Sequence, residues 1–125
     1  MRQTHTIPPF CEGKPKILIL GSFPSVKSRE TGFFYGHKQN RFWRVVAAVF
    51  EDETPQTLTE KKEFLKRTRI ALWDVVESCD IEGSSDASVK NVTVNDIKGL
   101  LDKFPSVEKI FVNGKTAQKL YDKYI

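Results

Sequence analysis

Apolar positions along this chain gather into three short runs, separated by longer stretches that carry a helical period. The runs are Lys16 to Leu20, Ile70 to Val75 and Val107 to Val112. Short runs of Ile, Leu and Val between helical patterns predict buried parallel strands joined by crossover helices. Asn40 to Phe50 predicts the first helix, with Asn40 at its N-cap and Phe42, Val45, Val46 and Val49 as the apolar stripe. A second helix is expected from Thr57, where Thr57 and Glu60 have the spacing of a capping box, to about Arg67. A third starts at Thr93, contains Ile97, Leu100 and Leu101, and stops before Pro105. A fourth follows Asn113-Gly114, with Ala117, Leu120, Tyr121 and Tyr124 on its apolar side. The order β-α-α-β-α-β-α predicts an α/β protein, a three-layer α/β/α sandwich around a central, mainly parallel sheet.

A chain of 125 residues with 39% apolar and 11% aromatic content suits one domain with one modest core. Its apolar runs are far shorter than a bilayer requires, and Met1 to Pro9 lacks the apolar core of a signal peptide, so a cytoplasmic monomer is expected. Cys11 and Cys79 are too few for a disulfide framework, and no Cys/His cluster suggests a metal. Net charge is +4, unevenly spread: residues 1–50 hold eight Lys/Arg against two acids, while the remainder holds twelve against fourteen. Positive charge thus travels with one half of the chain, which fits a face that approaches phosphates, although a solvated basic surface gives the same count.

That basic half contains the segment with the most chemistry, Gly21 to Trp43. A Gly-Ser-Phe-Pro-Ser loop, Gly21 to Ser25, follows the first strand directly. Open α/β sheets bind ligands at the carboxyl ends of their strands, where this loop lies. Phe34, Tyr35, His37, Lys38 and then Asn40-Arg41-Phe42-Trp43 follow. Asp74 ends the second strand, and Asn113 and Gly114 follow the third. Asn113-Gly114-Lys115-Thr116 has the tail of a phosphate-binding P-loop, but Lys109 stands where its first glycine belongs, so a nucleotide-triphosphatase is excluded.

The Gly-Ser-x-Pro-Ser loop followed by Asn-Arg-Phe-Trp resembles the uracil-DNA glycosylase superfamily, and in particular its branch of DNA-deoxyinosine (hypoxanthine-DNA) glycosylases. Trp73 to Val76 with Gly83 to Asp86 resembles a further motif of the family, and the resemblance spans about Lys16 to Ala117. It implies a uracil-DNA glycosylase-like fold and a monofunctional enzyme of base excision repair that works near the nucleoid, hydrolysing the N-glycosidic bond of a deaminated base in DNA, hypoxanthine first. It implies no cofactor, and two cysteines do not suffice for the iron-sulfur cluster of some branches. Asn40 is implied as the catalytic residue that positions the water. Gly21, Ser22, Phe23, Pro24, Ser25, Phe34, Tyr35, His37, Asp74 and Asn113 are implied to bind substrate, and Lys38, Arg41 and Arg44 to meet the DNA backbone. Family members continue into another strand and a Ser/Pro/Asn-rich loop that enters the duplex, for which this sequence has no match, so a domain lacking both is expected.

Each assignment has a plainer competitor. Asn40 and Asn113 are good helix caps, the aromatic residues suit a core, Asp86 suits a turn, and loop serines are common. In the mismatch-specific uracil/thymine branch the third loop position orients water. The phenyl ring of Phe23 cannot do so, and that specificity is the less favoured one. A DNA-binding module without catalysis and a flavin or small-molecule domain are the other readings.

Overall fold

The computed structural model describes residues 2–4, 7–23, 33–35, 41–81 and 90–125. Its centre is a parallel sheet in which β2 (Ile17–Gly21) lies between β3 (Ile70–Asp74) and β6 (Lys109–Val112). β2 and β3 pair from Ile17 with Ile70 to Gly21 with Asp74, and Leu20 of β2 pairs with Val112 of β6. All three predicted strands are therefore present, and their carboxyl ends are level.

Alternation along β2 decides the layers. Ile17 and Ile19 face a cluster with Phe42, Trp43 and Ala47 of α1 (Phe42–Val49) and Phe64 and Leu65 of α2 (Leu58–Thr68). Leu18 and Leu20 face Ile97 and Leu100 of α3 (Ile97–Lys103) and Leu120 and Tyr121 of α4 (Lys115–Tyr124). Helices on both faces keep the parallel sheet from water, as such a sheet requires.

α2 begins as its sequence predicts: the Thr57 hydroxyl accepts from the Glu60 N–H at 3.1 Å, and the Glu60 carboxylate accepts from the Thr57 N–H. α1 departs from its expected stripe. Phe42, Trp43 and Ala47 are buried, whereas Val45 is 55% and Val49 72% exposed. The larger rings of Phe42 and Trp43 take the inner face and rotate the helix accordingly. α3 starts four residues later than expected, because Thr93 belongs to a strand and Asp96 is the cap, its carboxylate accepting from the Gly99 N–H.

A second sheet went unpredicted. β1 (Arg2–Thr4), β4 (Val76–Asp80) and β5 (Lys90–Val94) form an antiparallel sheet in the order β1-β4-β5. Val75 separates β3 from β4, and Asn95 holds that junction: its Nδ2 donates to the carbonyls of Asp74 at 2.9 Å and Val76 at 3.2 Å. No helix among the described residues is long and apolar enough to cross a membrane.

Candidate functional site

The level strand ends bring four separated parts of the sequence together. Gly21 closes β2, Asp74 closes β3, Asn113 follows β6, and Tyr35 arrives from the aromatic segment. Backbone bonds fix the first turn of the loop: the Val75 N–H donates to the Gly21 carbonyl at 2.8 Å and the Val76 N–H to the Ser22 carbonyl at 3.0 Å. On the other side the Asn113 N–H donates to the Leu20 carbonyl at 2.7 Å. A Cβ on Gly21 would collide with the Asp74 carboxylate and stand 3.5 Å from the Tyr35 hydroxyl oxygen. Glycine is needed here because the Asp74 carboxylate occupies the space that a side chain would take.

Tyr35 is held from several directions. Its backbone has a φ of +52°, uncommon for a residue with a side chain. The Trp43 indole N–H donates to its carbonyl at 3.2 Å. Its ring stacks on Phe42 with centroids 3.9 Å apart and planes 8° from parallel. Its hydroxyl accepts from Asn113 Nδ2 at 3.2 Å. Burial, and then the negative charge of Asp74, push its phenol well above the ordinary range, opposed by the Asn113 hydrogen bond. The hydroxyl is thus a neutral donor and acceptor at any ordinary pH. Asp74 itself is 4% exposed.

A cleft of about 510 Å³ opens beside this group, between α1 and β6. Ile19, Tyr35, Arg41, Phe42, Val45, Val46, Phe111, Val112 and Asn113 line it. Its walls are apolar with aromatic faces, and the Asn113 amide, the Tyr35 phenol and the exposed Arg41 are its polar lining groups. Arg44 is also exposed on α1.

Other expected site residues lie elsewhere. Phe23 is 8% exposed in a small core with Val76, Cys79 and Ile81. Phe34 is 2% exposed and packs edge-on against Phe33. Core packing accounts for both rings without a ligand. Ser22 is half-buried at the start of the loop. Pro24, Ser25, His37, Lys38, Asn40 and Asp86 lie outside the described residues. The N-cap position of α1 falls on Arg41, whose side chain makes no capping bond. Asn113 is no cap either, since Gly114 takes that position on α4. Two residues were missed by sequence reasoning. Phe33 stacks on Trp43, and Asn95 lay hidden in what looked like the first turn of a helix.

Among the described residues no group of three or more His, Cys, Asp or Glu is placed to hold a metal ion. A sequence model of the Uracil DNA glycosylase superfamily matches residues 8–124, nearly the whole chain.

The chain belongs to the uracil-DNA glycosylase superfamily.

Two curated relatives, both named hypoxanthine DNA glycosylase, agree with that placement. The one from Methanosarcina barkeri is 36% identical over 109 residues, 86% of this chain and 69% of the relative. The one from Methanosarcina acetivorans is 37% identical over 111 residues, 88% of this chain and 70% of the relative. An NMR structure from Methanosarcina acetivorans, provisionally described as a uracil DNA glycosylase, superposes with a TM-score of 0.85 at 32% identity, covering 98% of this chain and 76% of that one. The α/β/α architecture expected from the sequence is thus the architecture of this superfamily, and the chain is a DNA glycosylase by family.

Proposed function

We propose that this glycosylase removes a deaminated base, hypoxanthine in particular, from DNA by hydrolysing the bond between the base and C1′ of the sugar. The observation that carries the proposal is the meeting of Gly21, Tyr35, Asp74 and Asn113 at the strand ends, beside an aromatic cleft with Arg41 at its rim. The names of the curated relatives support hypoxanthine as the base.

Hydrolysis of an N-glycosidic bond passes through a sugar with oxocarbenium character and a base that leaves with negative charge. The site must therefore hold a water against C1′ and aim donors at the departing base. Asn40, which precedes Arg41 in the sequence, is the residue proposed to hold the water, since an amide both accepts from it and donates to substrate. The water oxygen bonds to C1′ as the bond to the base breaks, and the proton that the water gives up balances the one that the departing base anion takes up. Extracting the nucleotide from the helix stack costs a few kcal/mol, which a stacking wall such as Tyr35 and Phe42 helps to offset. Arg41 and Arg44, with Lys38, are proposed to meet phosphates. Phe23 is turned into a core, so the loop offers no side chain at that position for orienting water. That placement weighs against the mismatch-specific reading.

The test is release of free base from oligonucleotides carrying deoxyinosine, deoxyuridine or a G·T mismatch, in duplex and single-stranded form. Hypoxanthine is expected to be released fastest. Faster release of uracil or thymine would move the assignment to a sister specificity, and DNA binding with no release from any of them would leave only a binding module.

A further inference from the structure

A hydrogen bond of the Asn113 amide fixes which of its ends faces Tyr35. Its Nδ2 donates to the Tyr35 hydroxyl at 3.2 Å, while the residue as a whole is exposed and lines the cleft. The charge around Tyr35 agrees with this orientation. The Asp74 carboxylate and the Tyr35 hydroxyl both lie near the position a Cβ on Gly21 would take, and the charge of Asp74 acts on that phenol. A phenol beside a carboxylate turns its proton toward the negative charge, which leaves its lone pairs for a donor, and the donor end of Asn113 is Nδ2. The Asn113 carbonyl oxygen is then directed away from Tyr35.

We propose that Tyr35 is a positioning residue that turns the Asn113 carbonyl into the cleft, where it accepts a hydrogen bond from a ring N–H of the extracted base. The assignment rests on the glycosylase reading above and narrows it to a substrate class. Bases whose ring nitrogen carries a hydrogen, as deamination to a lactam produces, satisfy this acceptor. A ring nitrogen that bears a lone pair instead meets the Asn113 oxygen as acceptor against acceptor, and leaves that oxygen unpaired once the base fills the cleft. Hypoxanthine has such an N–H at N1, and unsubstituted purine does not. Tyr35 is held firmly enough to orient its neighbour, because its stack on Phe42 and the Trp43 bond to its carbonyl leave the hydroxyl little freedom. Asp74 acts in this arrangement through Tyr35.

The experiment measures single-turnover excision of hypoxanthine and of unsubstituted purine, from otherwise identical DNA, by the parental chain and by Tyr35→Phe, Asn113→Ala and the double variant. Tyr35→Phe keeps the ring and its stack, and Asn113 is exposed, so circular dichroism and thermal melting are expected to show folded proteins. The parental ratio of hypoxanthine to purine excision should fall about tenfold in Asn113→Ala, the scale of one hydrogen bond. Tyr35→Phe should lower the same ratio, and should lower it no further once Asn113 is gone. Equal slowing of both substrates with an unchanged ratio means a structural role and overturns the assignment alone. A Tyr35→Phe effect that persists in full on the Asn113→Ala background overturns the coupling between the two residues. No excision by the folded parental chain overturns the glycosylase reading, and this assignment with it.

Discussion

Gly21 and Asp74 are register partners at the ends of β2 and β3, and the Asp74 carboxylate fills the position that a Cβ on Gly21 would take. The contact joins the first residue of the loop to the polar group of the candidate site. Gly21→Ala would drive a methyl group into a carboxylate that is only 4% exposed and has little room to withdraw. Overpacking of this kind costs about 1–3 kcal/mol, and excision should slow as well because the Asp74 carboxylate of the candidate site is displaced. Urea denaturation is the check, and parental stability in Gly21→Ala would show that Asp74 moves freely.

Tyr35 also predicts how stability depends on alkali. Burial and the Asp74 charge raise its phenol above its ordinary 10.0 in the folded protein. Above that pH the unfolded chain has released a proton that the native chain retains, so Tyr35 contributes a fall in stability as pH rises, and contributes none below it. Cys11 acts in the same sense from 9.0, because burial lifts its thiol to about 11. The slope of unfolding free energy against pH, followed upward from about pH 8, should be shallower in Tyr35→Phe than in the parental chain. Equal slopes would show that the phenol is not held neutral.

Binding to DNA should depend on the basic residues that accompany the motif. Neutralising Lys38, Arg41 and Arg44 together is expected to weaken binding and to flatten the plot of log K against log salt by about one unit for each phosphate no longer neutralised. Both arginines are exposed on or beside α1, so the fold should tolerate the change. An unaltered salt slope would make the charge asymmetry a surface feature only.

Much of this architecture was legible in the sequence. The three parallel strands and the Thr57 capping box were visible because each is local: a run of apolar residues, or two residues three apart. The second sheet was not, since β1 and β5 are short, largely polar strands that pair only through β4, which is far from β1 in sequence and meets β5 in a broken register. The face of α1 was misjudged because valines and aromatics were counted as equal, when Phe42 and Trp43 bury far more area than Val45 and Val49. Of the site, Gly21, Tyr35, Asp74 and Asn113 were each singled out by motif or strand-end position. The Tyr35 to Asn113 hydrogen bond spans 78 positions, and no local pattern announces it.

The corrected face of α1 makes a prediction of its own. Val49→Lys, at a site 72% exposed, should change stability by less than about 0.5 kcal/mol. Ala47→Leu, at a site 1% exposed, should destabilise by about 1–3 kcal/mol through overpacking. The reverse order of effects in thermal unfolding would restore the stripe through Val45 and Val49.

The most direct test of the account is single-turnover release of free hypoxanthine from deoxyinosine-containing DNA by the parental chain and by Asn40→Ala. The account predicts release by the parental chain, and a loss on the order of a hundredfold or more in Asn40→Ala with DNA affinity little changed, the scale of removing a positioned catalytic group. Release at the parental rate by a folded Asn40→Ala protein, or no release by the parental chain at all, would contradict it.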